Sequence, residues 1–372
     1  MKYVKLDKLC DITMGQSPDS SSYNDKGIGL PFFQGKSEFG KIYPTAKMYC
    51  TEPKKTAQPL DILMSVRAPV GDVNISNIDC CIGRGLCSIR CKNNINYKYI
   101  YYYLLTQKKV LESQSTGSTF KAINKSIVSE LEIPLQDLDA QHKIVEVLEK
   151  AQELIDKRKE QMELLEELVQ SRFLEMFGNP VTNPKGWEVE KINTIAPIEQ
   201  YKGEINDGKV WLLNLDMVES NSGRIINYNY VDKEEVGNST CTFSTDNVLY
   251  SKLRPYLNKV AIPDREGYAT SEMIPLKPNR EILNREYFAY SLRSKAFVDY
   301  ISEKVSGAKM PRVVMSDFKN FKLPIPPLAL QEEFADFVGK VNDIKIVLNK
   351  SLEQLNNNFD SLISRAFKGE LF

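Results

Sequence analysis

The chain has 372 residues, enough for two cores of ordinary domain size, and its 49 Lys and Arg are matched by 49 Asp and Glu. Net charge therefore gives no direct signal of a polyanionic partner, and no segment is long and apolar enough to span a membrane. Seven cysteines, an odd number, with no apolar signal-peptide stretch at the start, are expected to be reduced thiols of a cytoplasmic protein.

Residues 1–140 read as a mixed α/β domain. Apolar runs at 60–66 and 82–89 have strand character and are broken by Gly, Pro and Asp. Residues 97–111 predict a helix with Tyr and Leu on one face. Cys80, Cys81, Cys87 and Cys91 lack the paired C-x2-C spacing of a zinc knuckle, and the single histidine, His142, is remote at a helix start. Small strand hydrophobes are the better reading of these cysteines. Glu132-Ile-Pro-Leu is expected to be extended, because Pro keeps its predecessor out of the α region.

A long helix is predicted over 141–178, with apolar positions at Ile144, Leu148, Ala151, Ile155, Met162, Leu165 and Val169, and with Asp139 as its N-cap. Asn179-Pro180 and Asn183-Pro184-Lys-Gly186 end it and open a second globular segment, 179–330. A second helix, without an obvious cap, is predicted over 331–372, with Val341, Ile344, Leu348, Leu352, Leu355, Phe359 and Leu362 as its stripe. Both stripes are narrow apolar seams of coiled-coil type on polar helices. The first helical segment carries six basic and nine acidic residues and the second five and seven, which leaves the globular segments with a net +5. A helix of about 35 residues is roughly 50 Å long, more than one turn of duplex DNA. Two such helices folded back antiparallel suit a spacer between domains; a hairpin serving only dimerisation fits the same seam.

The two halves repeat each other. Asn96-Tyr-Lys-Tyr99-Ile-Tyr-Tyr102-Tyr-Leu104 returns as Asn284-Arg-Glu-Tyr287-Phe-Ala-Tyr290-Ser-Leu292, shifted by 188, and 117–150 lies over 307–340 without a gap, shifted by 190. Identities include Gly117/Gly307, Pro134/Pro324, Gln141/Gln331 and Lys150/Lys340, with apolar character kept between them. Asp61-Ile-Leu-Met-Ser65-Val-Arg67 resembles Asn247-Val-Leu-Tyr-Ser251-Lys-Leu-Arg254 with one residue inserted, while Arg84 aligns with Glu272 and Lys121 with Pro311. The repeated tyrosines read as core. Duplication with a helical spacer implies a pseudo-two-fold that suits a partner with its own two-fold, above all duplex DNA. No GxxxxGK[ST], GxGxxG or HExxH motif accompanies it, which speaks against an enzyme.

Several stretches resemble the specificity subunits of type I restriction–modification systems. They are Pro31-Phe-Phe-Gln34-Gly35-Lys36, Ile82-Gly-Arg84-Gly, Gly117-Ser-Thr-Phe-Lys121-Ala-Ile and Ile133-Pro-Leu-x-x-Leu-x-x-Gln141 in the first half. The second half offers Ser251-Lys-Leu-Arg254-Pro-Tyr, Ala269-Thr-Ser-Glu272, Gly307-Ala-Lys309-Met-Pro-Arg312, Leu323-Pro-Ile-Pro-Pro-Leu-x-x-Gln331 and Phe367-Lys-Gly-Glu-Leu-Phe372. The resemblance implies an α+β fold of two similar target-recognition domains joined by two antiparallel helices, with no chemistry and no cofactor of its own. Each domain is then expected to read one half of a split site in double-stranded DNA. Two modification subunits using S-adenosylmethionine would dock on the helices, and restriction subunits using ATP and Mg would join them, in a prokaryotic cytoplasm. A fragment of a fused restriction–methyltransferase and a coiled-coil scaffold without DNA are the rival readings.

Reading bases requires Arg, Lys, Asn or Gln on a stiff platform. The candidates are Gln34, Lys36, Arg67, Arg84, Lys121 and Lys125 in the first domain, and Asn214, Lys252, Arg254, Lys259, Lys309 and Arg312 in the second. Lysines beside glycine, such as Lys36 and Lys309, are expected to grip phosphate.

Overall fold

The structure, a computed structural model, describes residues 2–116, 121–205 and 208–372. It forms two compact units, Met1–Lys157 with Ser351–Phe372, and Arg158–Lys350, so each long helix contributes a segment to each unit.

The first unit is built on β1 (Lys2–Lys5), β2 (Leu30–Phe33), β3 (Ile62–Ser65), β4 (Cys80–Ile82), β5 (Leu86–Cys91), α1 (Tyr97–Thr106), α2 (Lys108–Gln114), β6 (Glu132–Leu135) and the start of α3 (Leu138–Phe177). β1 pairs antiparallel with β6, so the proline segment is a strand of a two-stranded pair, where a missing N–H is tolerated. β2 and β4 run parallel with Phe33 opposite Ile82, and β3 and β5 antiparallel with Ser65 opposite Leu86. Strand alternation sends Cys80 into a cluster with Phe33, Leu63 and Leu86, and Cys81 against Phe32 and Cys50. Burial pushes the Cys80 thiol up to about 11 and that of Cys87 up to about 12, as expected of small apolar side chains.

Three local expectations are corrected. The run at 82–89 is two strands, because the turn after Ile82 is closed by the Leu86 N–H on Gly83 O at 3.0 Å. The helix predicted over 97–111 breaks at Gln107, the C-cap of α1 and the N-cap of α2. Asp137, not Asp139, caps the long helix: its Oδ1 accepts from the Ala140 N–H at 2.8 Å, which places Asp139 inside the first turn.

The second unit repeats the plan with β7 (Val189–Lys191), β8 (Lys209–Leu213), β9 (Val248–Ser251), β10 (Gly267–Thr270), β11 (Met273–Leu276), α4 (Arg285–Arg293), α5 (Lys295–Ser302), β12 (Lys322–Pro324) and α6 (Leu328–Lys368). β7 pairs antiparallel with β12, β8 parallel with β10 with Leu213 opposite Ala269, and β9 antiparallel with β11 with Ser251 opposite Met273. Equivalent pairings match Phe33 to Leu213, Ser65 to Ser251, Ile82 to Ala269 and Leu86 to Met273.

Within each unit two helix segments complete the core. Ile144, Val145 and Leu148 of α3 join Ile363, Ala366 and Phe367 of α6 around Tyr99 and Leu104 in the first unit. In the second, Val169, Phe173 and Phe177 of α3 join Phe334, Val338 and Val341 of α6 around Tyr287. There the segments run antiparallel, with Arg172 on Glu333 at 3.0 Å and Lys345 on Glu166 at 2.6 Å. Ile344, expected in the seam, is 49% exposed, because its neighbour Lys345 takes the position facing Glu166. Tyr99, Tyr102 and Tyr287 are buried as core residues.

The repeated glutamine explains how each long helix leaves its domain. Gln141 and Gln331 are almost fully buried. Their side-chain oxygens accept from the N–H of Asn96 at 2.9 Å and of Asn284 at 2.8 Å, the N-caps of α1 and α4. Their amides donate to Gln136 O at 2.9 Å, and to Pro326 O at 2.7 Å and Ile282 O at 3.0 Å. Beside them the Tyr99 hydroxyl donates to Pro134 O, and Tyr287 to Pro324 O at 2.8 Å. A buried carboxamide with every partner present is stabilising, whereas its removal strands an N–H and two carbonyls. Gln331→Ala is therefore expected to destabilise the second unit by about 1–3 kcal/mol. Urea denaturation followed by tryptophan fluorescence reads this unit alone, since Trp187 and Trp211 are the only tryptophans of the chain. An unchanged midpoint would show that the carboxamide carries no such load.

Candidate nucleic-acid interface

In the first unit the end of β2, the turn joining β4 to β5 and the segment after β3 meet on one rim. Backbone bonds hold them: Gly83 N–H to Phe33 O at 2.8 Å, Val66 N–H to Gly85 O at 2.9 Å, and Ala68 N–H to Lys121 O at 2.9 Å. Gly85 has to be glycine, because a Cβ there would lie 2.2 Å from Gln34 O. Between these segments opens a cleft of about 340 Å³ lined by Gln34, Lys36, Arg67 and Arg84, together with Ser17 and Gly85. The structure thus brings four of the predicted residues together. Lys121 is exposed beside the rim through its carbonyl bond, while Lys125, exposed in the first turn of the short helix Lys125–Ser129, is not part of the lining. The sequence motif at 117–120 lies outside the described residues.

The cations of this cleft differ in freedom. Lys36 is ion-paired with Asp72 at 2.9 Å, and Lys108 reaches the same carboxylate at 2.7 Å. Burial alone would raise the Asp72 carboxyl, but the two ammonium groups outweigh it and hold the group below its ordinary value. The Lys36 charge is therefore partly offset by the Asp72 carboxylate it shares with Lys108. Among the described residues no ion pair engages the guanidinium of Arg67 or Arg84, so these two supply the unspent positive charge.

In the second unit Asn214 follows β8 as Gln34 follows β2, so an amide stands at the end of the parallel strand in both copies. The equivalent backbone bonds are Lys252 N–H to Glu272 O at 3.0 Å and Arg254 N–H to Pro311 O at 2.7 Å, and Val313 N–H to Lys252 O at 2.9 Å repeats Ile123 N–H to Val66 O at 3.0 Å. They match Glu272 to Gly85, Arg254 to Ala68 and Pro311 to Lys121. The sequence alignment is thereby corrected at two places: Arg84 falls on Ser271, and Arg254 follows the position of Arg67 with no inserted residue. Hydrogen bonds preserve the backbone register while the side chains on it have moved by one position.

Arg254 is exposed and left-handed, with φ 50°. Lys309 is exposed and Lys252 half-buried. Arg312 donates to Glu272 through Nε at 3.0 Å and Nη2 at 2.7 Å. This contact holds the Glu272 carboxyl below its ordinary value. Lys259 serves the fold, its Nζ donating to Leu215 O at 2.5 Å. Sequence reasoning did not single out Asp72, Lys108 or Ser17, whose contacts join distant segments. Glu272 was visible within a motif, but a carboxylate was not sought on a surface expected to bind a polyanion.

Two copies of one α+β unit each present an amide and basic side chains on loops joined by equivalent backbone bonds. The chain belongs to the type I restriction modification DNA specificity family, whose model matches residues 1–167 and again 184–357. Over 161 residues it is 45% identical to a putative type I restriction enzyme MjaX specificity subunit of Methanocaldococcus jannaschii, a match covering 43% of this chain and 38% of that protein. It is 23% identical over 316 residues to the type I restriction enzyme EcoDI specificity subunit of Escherichia coli, covering 74% of this chain and 70% of that one. The crystal structure of a type I restriction–modification S subunit from M. genitalium shares the fold, with a TM-score of 0.57 at 17% identity over 98% of this chain and 96% of that chain.

The internal role of Lys259 separates it from the other candidates. Lys259→Met removes a donor from a half-buried carbonyl and is expected to lower the stability of the second unit by about 1–3 kcal/mol. DNA affinity of the folded protein should remain within twofold, measured by fluorescence anisotropy; a large loss of affinity at unchanged stability would return Lys259 to the interface.

Proposed function

We propose that this chain is the non-catalytic DNA-reading subunit of a type I restriction–modification complex. Each recognition domain reads one half of a split site, and the long helices set the gap between the halves. The observation that carries this reading is the double family match, with an equivalent amide, Gln34 or Asn214, beside basic residues in each copy. Amides bonding adenine and arginines bonding guanine are the direct readout of the major groove, while exposed lysines suit phosphates. At 40 and 41 residues each helix is about 60 Å long, more than a duplex turn.

Methylation and ATP-driven cleavage then belong to partner subunits, with S-adenosylmethionine, ATP and Mg held there. Both helices leave apolar side chains exposed for such partners: Leu164 and Leu168 of α3 and Ile344, Ile346 and Val347 of α6 are each about half exposed or more. We place two modification subunits on the helices and the assembly in the cytoplasm. In support of the latter, no helix among the described residues is long and apolar enough to cross a membrane.

The test is long-read mapping of methylated adenine in cells expressing this chain with its modification subunit, against cells lacking the chain. A split motif that depends on the chain is expected. No new motif, with the partner shown to be expressed and bound, overturns the reading. In the same complex Lys121→Ala and Arg254→Ala should each weaken duplex binding and reduce the salt slope by about 1 if they contact phosphate; unchanged affinity removes them from the interface.

A further inference from the structure

The two recognition surfaces share a backbone and differ in what rises from it. In the first unit the equivalent of Glu272 is Gly85, on the wall of the cleft, and the equivalent of Arg312 is Ala122, opposite Arg67 as Arg312 is opposite Leu253. Bare backbone in one copy is thus replaced in the other by a carboxylate and a guanidinium locked together. We infer that the Glu272–Arg312 pair reads a single G·C base pair, the carboxylate accepting from the cytosine N4 amine and the guanidinium donating to guanine O6 and N7. This rests on the DNA reading proposed above and makes it specific at one position.

Three observations carry it. The first is the geometry of the fork. Arg312 meets Glu272 edge-on, through Nε and Nη2, at 3.0 and 2.7 Å. That leaves Nη1 and the second Nη2 hydrogen, the end of the guanidinium, for the two acceptors of guanine. Glu272 keeps lone pairs for an amine donor, which is what cytosine presents in the major groove.

The second is charge. Phosphate binding disfavours a carboxylate, yet Glu272 stands beside Lys252 as well as Arg312, and its side chain is 22% exposed beside an Arg312 that is 43% exposed. Arg312 neutralises this acid within the fold, and what the pair still offers is an exposed acceptor, which suits base edges because they donate while phosphates do not. The Arg312 guanidinium holds the Glu272 carboxyl below its ordinary value, which favours its acceptor form.

The third is rigidity. Three bonds to one carboxylate, from Nε to both oxygens and from Nη2 to Oε1, fix the guanidinium plane, and the backbone on either side is held by the Lys252 N–H on Glu272 O at 3.0 Å and the Val313 N–H on Lys252 O at 2.9 Å. A base-reading fork requires this preorganisation, since a floppy side chain discriminates poorly.

The experiment maps methylated adenine by long reads in cells carrying the modification subunit with the wild-type chain, Glu272→Gln, or the charge swap Glu272→Arg with Arg312→Glu. Circular dichroism and co-purification with the modification subunit confirm that each variant folds and assembles. Glu272→Gln is expected to make one base position degenerate in one half of the split motif, with discrimination there falling about tenfold and the other half unchanged. The charge swap keeps an ion pair but exchanges donor and acceptor, so it is expected to change the preferred base at that same position. A pair that merely braces the loop predicts the wild-type motif in the swap, and that result overturns the inference. So does an unchanged motif in Glu272→Gln, or a uniform loss of methylation at every site in a folded, assembled variant. Absence of any split motif with the wild-type chain is a separate failure, of the DNA reading itself.

Discussion

The buried carboxamides of Gln141 and Gln331 tie the first turn of each long helix to the cap of the helix beneath and to the carbonyls of the proline segment before it. An amide is the side chain that can do this, since it accepts with one arm and donates with the other. Leucine would fill the space and leave an N–H and a carbonyl unpaired in an apolar core, and glutamate would supply no donor. Once the amide is seated, the direction of the helix is determined, the tyrosines at 99 and 287 close over the proline carbonyls, and the terminal strand pairs β1–β6 and β7–β12 are positioned against the core. The recognition loops are built on what lies above this joint.

Much of this was legible in the sequence because packing constrains residue character. The repeated Asn, Tyr and Gln positions, the extended proline segments and the two long helices follow from apolar periodicity and from the local preferences of Pro, Gly and Asn, and each is found where those preferences place it. Helix boundaries shifted where capping was decided by one residue: Asp137 and Asp139 are the same chemistry two positions apart, and only the former presents its carboxylate to the Ala140 N–H. The surface was harder to read. Arg84 and Glu272 look like counterparts because both follow an apolar strand, but the hydrogen-bond register pairs Glu272 with Gly85. Identity of type does not encode register on a loop with no buried face.

Charges were legible as residues and not as partners. Lys36, Arg67 and Arg84 were named from the sequence and all line one cleft, yet only the structure shows that Asp72, from the turn after β3, subdues Lys36 while the two arginines remain unpaired by acids among the described residues. Lys259 has the composition of a phosphate contact and spends its ammonium on Leu215 O. Ile344 continues the seam on paper and faces outward in the fold, alongside Ile346 and Val347. Balanced net charge and a sparsely cationic surface offer little bulk attraction to a polyanion, so the proposed DNA reading would rest on specific contacts.

The glycine at position 85 has an evolutionary consequence. Its alpha hydrogen faces the Gln34 carbonyl so closely that any side chain is barred unless the Gln34 loop moves as well. The second unit, with an acid at the matching position, has a different loop after its parallel strand. A side chain at position 85 therefore requires the turn and the Gln34 loop to change together.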